Sequence, residues 1–224
     1  MNSAEPHVLS RGRALLKVAA SGGLLTVVAA RDKAFARSAP SAVSCVLTPE
    51  LTEGPYFVAG DKIRRNVAES RPGSKLTLNL TIVNAKTCTP IKGAAVDIWH
   101  CDAGGTYSEV QGNTAHFLRG IQLTNAKGVA TFDTIYPGWY PGRTVHIHVK
   151  VSVGGNAIHT GQVFFADLQT DAVYRKAPYA GRGARDTRNS DDGIFQGGGS
   201  GTIAKLRARP TGGHLAAITL GVKV

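Results

Sequence analysis

Apolar and polar residues alternate in several short segments of the chain, a pattern typical of β-strands with one buried face. In residues 75–83, for example, every second residue is leucine or isoleucine. Comparable strand segments are expected at 93–100, 116–124, 128–135, 144–153, 158–166 and 214–224. The sequence has no repeat and no alternation of strands with helices. We therefore predict an all-β fold, a β-sandwich of short, mostly antiparallel strands with long loops and few or no long helices.

Segments rich in glycine, proline and polar residues separate the predicted strands. Residues 39–60 are expected to form an irregular arm, and residues 180–201 a long surface loop. Residues 136–142 contain two prolines and two glycines, which excludes regular structure there. A short helix is expected only at 167–176.

The first 38 residues have the pattern of a signal peptide. A basic stretch with Arg11, Arg13 and Lys17 precedes an apolar run at 18–30, and an Ala-Phe-Ala sequence at 34–36 fits a cleavage site. The apolar run is shorter than the roughly 20 residues that a membrane span needs. We predict a leader at 1–38 that resembles a twin-arginine signal, and a mature domain at 39–224 that is exported to the periplasm or the extracellular space. An ordinary secretory leader or a disordered tail is the alternative.

The three cysteines predict one disulfide and one free thiol, because their number is odd. Cys88 and Cys101 flank the predicted strand 93–100 and so lie too far apart to bridge. Cys45 must then pair with one of them. We favour Cys45–Cys88 and a free Cys101, and a Cys45–Cys101 pair is the alternative.

Composition and charge exclude two classes of protein, largely disordered chains and nucleic-acid-binding proteins. Apolar residues make up 42% of the 224 residues, which excludes a largely disordered chain. The formal net charge is +11, but no basic stripe is interleaved with aromatic residues, so nucleic-acid binding is not predicted. The positive charge either serves solubility or attracts anionic aromatic substrates.

The sequence His146-Ile-His148 lies in a predicted strand, so both imidazoles point to the same face. They form either a pair of metal ligands or two structural histidines. Zinc and iron(II) sites generally add a nearby third histidine, cysteine or carboxylate, and none stands beside this pair. Tyr140 precedes the pair in a sharp turn, and a phenolate oxygen suits a strongly Lewis-acidic ion such as iron(III).

Five separated segments together resemble the intradiol ring-cleavage dioxygenases, the family of protocatechuate 3,4-dioxygenase and catechol 1,2-dioxygenase. The resemblance runs from about Leu47 to Phe165, and one residue is inserted between Thr160 and Gln162 relative to the family pattern. In chain order the segments are Glu-Gly-Pro-Tyr at 53–56, Asp-Ile-Trp-His-Cys-Asp-Ala-Gly-Gly-Thr-Tyr at 97–107, Pro-Gly-Trp-Tyr-Pro at 137–141, Arg-Thr-Val-His-Ile-His at 143–148 and Thr-Gly-Gln-Val-Phe-Phe at 160–165.

The resemblance implies an enzyme with non-haem Fe(III) that cleaves catechols with O₂ to muconate-type products. The implied iron ligands are Tyr107, Tyr140, His146 and His148. Tyr140 is the ligand expected to leave when substrate binds, and Arg143 and Gln162 are expected to line the substrate site.

The expected partners are a catecholic small molecule and O₂. No nucleic acid and, after leader removal, no membrane is expected, and the protein is predicted to be a monomer or weak oligomer. Two alternatives stay open: a non-catalytic sandwich that binds a ligand, and a zinc or copper enzyme that uses only the two histidines. His100 and Asp102, which flank the segment that leads to Tyr107, either shape the site or anchor the loop.

Overall fold

The structure, a computed structural model, describes residues 45–224. The predicted leader at 1–38 and its cleavage site lie outside these residues. Within the described range, no helix is both long and apolar enough to cross a membrane. The strands are β1 Lys75–Asn84, β2 Ala95–Trp99, β3 Arg119–Leu123, β4 Val129–Ile135, β5 His146–Val153, β6 Asn156–Phe164, β7 Lys205–Ala208 and β8 His214–Val222, and the helices are α1 Asp167–Tyr174 and α2 Gly193–Gln196.

The strands form two four-stranded sheets, with the orders β4-β1-β8-β7 and β3-β2-β5-β6. All pairs of neighbouring strands are antiparallel except β1 and β8, which run parallel. The predicted all-β sandwich of mostly antiparallel strands is therefore confirmed.

The core lies between the inner faces of the two sheets. On β1 the alternate residues Leu76, Leu78, Leu80 and Ile82 are at most 1% exposed, as the sequence pattern predicts. They belong to one buried cluster with Ile147 and other residues of β2 and β5. Burying each such side chain stabilises the fold by about 1.5–3 kcal/mol.

The outer face of the second sheet is covered as well. Trp99 on β2 and the two histidines of β5 point away from the core, yet each is at most 2% exposed. The aromatic side chains of Tyr56 and Phe57, from the irregular arm, and of Tyr107, from the loop after β2, cover Trp99.

The prediction of a long surface loop at 180–201 is correct in that most of its residues are exposed, but the segment is more ordered than a loop. The segment contains α2 and three short 3₁₀ turns, and it buries Arg185, Asn189 and Asp192. Arg185 forms ion pairs with Asp167 and Asp171 of α1. The polar composition suggested solvent exposure, but these polar groups satisfy one another and nearby backbone groups inside a compact segment.

The cysteines pair as favoured from the sequence. Cys45 and Cys88 form a disulfide, and Cys101 is a free, buried cysteine. The bond joins the beginning of the described chain to the turn after β1, so it fixes the irregular arm to the first sheet.

Candidate metal centre

Strand β5 places His146 and His148 on the outer face of the second sheet. Their Nε2 atoms lie 3.1 Å apart. Between them in sequence, Ile147 points into the core, so the alternation expected from the sequence is present. The ring of His148 stacks on Trp99, its cross-strand partner on β2, with centroids 4.9 Å apart. Neighbouring strands on both sides therefore hold the two imidazoles in fixed positions.

Tyr140 reaches the same point from the turn that precedes β5. Its Oη lies 3.1 Å from Nε2 of His146. The turn packs closely on the loop after β2, because a Cβ on Gly138 would come within 2.4 Å of the carbonyl oxygen of Asp102. A glycine is required at this position, and its absence of a side chain lets the Tyr140 turn approach the loop that carries Tyr107.

Tyr107 completes the group from the loop after β2. Its ring centroid lies 5.7 Å from that of Tyr140 and 6.2 Å from that of His148. Asp102 anchors the loop, since its Oδ1 accepts hydrogen bonds from the backbone N–H groups of Gly104 and Thr106. All four side chains predicted as ligands thus meet in one place, although they come from three segments of the chain.

The donor atoms are suited to a cation. Nδ1 of His146 lies 2.6 Å from the carbonyl oxygen of Thr144 and donates to it, which leaves the lone pair on Nε2. The buried Oη of Tyr107 has no hydrogen bond of regular geometry among the described residues, although the Tyr140 hydroxyl is close enough to act on its pKa. A buried hydroxyl without such a bond is costly, and a metal ion bound there would satisfy it. Spacings near 3 Å also suit neighbouring ligands on an ion with bonds of about 2.1 Å.

Burial controls the protonation of all four groups. It lowers the pKa of His146 to about 3, with a further contribution from Arg143, and it lowers the pKa of His148 well below its ordinary value. Burial also raises the pKa of Tyr140 to about 12 and that of Tyr107 well above its ordinary value. Both imidazoles are therefore neutral, as metal ligation requires. A phenolate forms here only if a strongly Lewis-acidic ion displaces the proton.

Arg143 and Gln162 lie beside this group and contact each other. Nη2 of Arg143 donates to Oε1 of Gln162 at 2.5 Å, and Nε2 of Gln162 donates to the carbonyl oxygen of Thr52. Gln162 is the cross-strand partner of His148 on β6. The structure thus brings together both residues that the resemblance placed at the substrate site.

Asp192 is a part of the site that sequence reasoning missed. Its Oδ2 accepts a hydrogen bond from Nε of Arg143 at 2.8 Å, and the side chain is 1% exposed. Asp192 also caps α2, because its Oδ1 accepts from the N–H groups of Ile194 and Phe195. An aspartate followed by a helix is a capping signal, but nothing local connects it to an arginine 49 positions earlier.

The other polar residues near the site have structural partners. His100 bonds with the carbonyl of Cys101 and the hydroxyl of Thr134, so it lies in the fold rather than among the donors. Of the two roles considered for Asp102, shaping the site or anchoring the loop, its hydrogen bonds support anchoring the loop. Burial raises the pKa of the Cys101 thiol to about 12, and such a thiol is inert.

Comparisons with known proteins show what this chain is similar to. A family model described as dioxygenase matches residues 52–174, just over half of the chain. The solved structure of an intradiol ring-cleavage dioxygenase from Tetranychus urticae is 38% identical, with a TM-score of 0.75, over 80% of this chain and 95% of that one. The dioxygenase domain of a carbohydrate-binding fusion protein from Streptomyces sp. SirexAA-E is 31% identical, with a TM-score of 0.64, over 80% and 99%.

Curated relatives match over shorter stretches. Catechol 1,2-dioxygenase 1 from Acinetobacter lwoffii is 32% identical over 101 residues, which cover 42% of this chain and 32% of that protein. The chain spans about a third to just over a half of the length of the curated relatives it matches.

Proposed function

This chain belongs to the intradiol ring-cleavage dioxygenases, and from that premise we propose that it binds Fe(III) and cleaves the ring of a catechol with O₂. Cleavage would fall between the two hydroxylated carbons and give a muconate-type product. The observation that carries the proposal is the convergence of two phenol oxygens and two imidazole nitrogens at one buried place. The proposed ligands are Tyr107, Tyr140, His146 and His148.

Fe(III) is favoured over other ions by the donor set. Two phenols whose pKa values are raised by burial would ionise only beside an ion of high charge. The two phenolates would offset two of the three positive charges of the ion. The bound iron would supply the redox chemistry that lets an aromatic ring react with O₂.

Tyr140 is the proposed ligand whose Oη would take up a substrate proton when catechol binds. It is partly exposed, whereas Tyr107 is 5% exposed and packed against Tyr56. A catechol that binds as a dianion must lose two protons. The Tyr140 phenolate would be a base strong enough to accept one of them, and the other would pass to solvent.

Arg143 is proposed to orient the substrate and to stabilise negative charge that develops on it. Asp192 and Gln162 hold the guanidinium group through Nε and Nη2. Nη1 is then the donor that can face a substrate oxygen. A preorganised donor of this kind costs little reorganisation during the reaction.

We extend the proposal to export. The predicted leader supports it, and so does the Cys45–Cys88 disulfide, because structural disulfides persist mainly in oxidising compartments.

A visible spectrum tests the proposed function. Purified, iron-loaded protein is titrated without oxygen, first with catechol and then with protocatechuate, and oxygen is admitted afterwards. We expect phenolate-to-iron absorption that shifts when substrate binds, followed by a muconate-type product. Protein that contains zinc or copper and lacks phenolate-to-iron absorption would support the histidine-only alternative, and iron-free protein that binds catechol unchanged would support a binding domain.

Two variants check the ligand assignment in the same assay. Tyr140→Phe and His148→Ala should each lower iron content or turnover by orders of magnitude. Wild-type iron content together with wild-type turnover in either variant would contradict the assignment.

A further inference from the structure

Arg119, at the start of β3, is a fully buried arginine whose guanidinium group points to the loop that carries Tyr107. The residue is 1% exposed. Its Nε donates to Oγ of Ser108 at 2.8 Å, and its Nη2 donates to the carbonyl oxygen of Ser108 at 2.5 Å. Its Nη1 donates to the carbonyl oxygen of Tyr56 at 3.0 Å. One side chain thus joins the strand, the ligand loop and the irregular arm.

These hydrogen bonds act on two neighbours of Tyr107, the residue that follows it in the chain and the residue whose ring packs on it. Ser108 is the next residue in the chain, and the ring of Tyr56 packs on that of Tyr107 with centroids 4.5 Å apart. The hydroxyl of Tyr107 makes no hydrogen bond of regular geometry among the described residues, although the Tyr140 hydroxyl interacts with it. The direction of the phenol is therefore set by its backbone and by the rings around it, which are the features that Arg119 holds.

Nearby acidic groups compensate the charge of Arg119. Donor atoms of Asp61, Glu109 and His116 lie within 4.8 Å of one another, as in a metal site. However, Nε of Arg119 lies 3.4 Å from Oε2 of Glu109, so a cation in this cluster would face a fixed positive charge. Burial lowers the pKa of Arg119, and the carboxylates of Asp61 and Glu109 oppose that effect. The cluster is better explained as the counter-charge of a buried guanidinium.

We infer that Arg119 is a positioning residue for the iron ligand Tyr107, acting through its hydrogen bonds to Ser108 and to the backbone of Tyr56. The inference rests on the proposed function, because Tyr107 is an iron ligand only under that proposal. Groups that orient metal ligands affect metal affinity strongly, and their loss typically weakens binding by about 10–100-fold.

A double-mutant cycle on iron affinity tests the inference. Arg119→Lys keeps the charge but loses the planar fork that reaches Ser108 and Tyr56 together. We expect Fe(III) affinity, measured by chelator competition, to fall by about 10–100-fold. The same substitution should lower affinity equally in a Tyr140→Phe background, but by less than about twofold in a Tyr107→Phe background, where no phenol remains to be positioned.

A matched control separates positioning from general damage to this corner of the fold. Arg64 donates from Nε and Nη2 to the carbonyl oxygen of Arg119 and makes no hydrogen bond to the ligand loop. Arg64→Lys should leave iron affinity and the resonance Raman bands of the bound phenolates unchanged. The band of Tyr107 is identified as the one that Tyr107→Phe removes. Arg119→Lys should shift that band and should leave the band assigned to Tyr140 in place.

The outcomes distinguish the two proposals. If wild-type protein binds Fe(III) with phenolate absorption but Arg119→Lys weakens binding equally in the Tyr107→Phe background, the positioning role is overturned and the proposed function stands. If wild-type protein shows no phenolate absorption with Fe(III), both proposals fall. Should Arg119→Lys not fold, Ser108→Ala removes the Oγ acceptor alone, and its smaller loss of affinity must likewise vanish in the Tyr107→Phe background.

Discussion

The carboxylate of Asp192 gives the sharpest test of how this site is held together. Each of its oxygens accepts two hydrogen bonds. Oδ1 accepts from the N–H groups of Ile194 and Phe195, and Oδ2 accepts from Nε of Arg143 and the N–H of Thr144. Asp192→Asn keeps the shape but offers one acceptor oxygen and one NH₂ group. Whichever way the amide is oriented, two of the four N–H donors face its NH₂ group instead of an acceptor oxygen.

The cost follows from this count. A hydrogen bond to a charged group contributes about 1.5–3 kcal/mol, and the variant loses two such bonds in a site that water scarcely reaches. We expect the free energy of unfolding to fall by about 3–5 kcal/mol, the range for breaking a buried ion pair by removing one partner. With a urea slope of about 2 kcal/mol per molar, the unfolding midpoint should fall by about 2 M.

The pH dependence of the stability difference is a second, independent test. Burial by itself would raise the pKa of Asp192, but the hydrogen bonds from the Thr144 N–H and from Arg143 lower it below its ordinary value. A carboxyl whose pKa is lower in the folded state stabilises the fold above its unfolded pKa of about 3.9, and this contribution is lost as the pH falls through the folded pKa. The stability difference between wild type and Asp192→Asn should therefore be complete at pH 7 and should shrink below about pH 4.

Urea unfolding of chelator-treated protein at several pH values measures both effects without a contribution from metal binding. Asp186→Asn is the matched control, because Asp186 is exposed and accepts one backbone hydrogen bond from Gly142. Its effect should stay within about 0.5 kcal/mol. A midpoint for Asp192→Asn within about 0.3 M of wild type at pH 7 would refute the reasoning.

Three further predictions concern the surroundings of the site. Gln162→Leu should lower kcat by more than about tenfold while iron content stays at the wild-type level. The reason is that an N–H of the Arg143 guanidinium and the backbone carbonyl of Thr52 lose their hydrogen-bond partner. A loss of iron instead would indicate that Gln162 acts on the metal. Gly54→Ala should weaken iron binding and destabilise the fold by about 1–2 kcal/mol. The φ of Gly54 is +72°, and a Cβ there would lie 3.2 Å from Cε1 of His148. Unchanged iron affinity in a metal titration would contradict this prediction. Replacing Cys45 and Cys88 by serine should cost about 2–4 kcal/mol in urea unfolding, because the disulfide closes a loop of 43 residues; an unchanged midpoint would show that it does not stabilise the fold.

The parts of the fold that follow a local period were predictable from sequence. Alternation identified β1 to one residue at its end, and it placed the two histidines of β5 on one face. Alternation has the same period in parallel and antiparallel strands, so it did not reveal that β1 and β8 run parallel. Strand β7, at Lys205–Ala208, was missed because it is short and largely exposed, and so has no buried face to produce a pattern.

The contacts that support the site were not predictable in this way. Asp192 lies in a segment whose glycines and charges suggested a solvated loop, and Arg119 lies in a strand where a lone arginine suggests exposure. The role of each residue depends on a partner that the fold brings close from a distant segment. Asp192 pairs with Arg143, 49 positions away in the chain, and Arg119 bonds to Tyr56, 63 positions away. Local patterns contain no information about such pairs. The ligands could be named because their motifs resemble a family, and their supports could not.

The four proposed ligands are held in two different ways, and the difference matches their proposed roles. His146 and His148 lie on β5, whose backbone is paired with β6 at both residues and with β2 at His148, so the sheet fixes the backbone from which both imidazoles project. Tyr107 and Tyr140 lie in irregular segments, where a side chain can turn while the strands stay in place. Of these two, Tyr107 is confined by Tyr56 and by the loop anchored through Ser108, whereas Tyr140 is partly exposed as a residue and its hydroxyl contacts His146. A reaction that requires one anionic ligand to leave and accept a proton, while the other three keep the metal in place, is served by this distribution of rigid and movable donors.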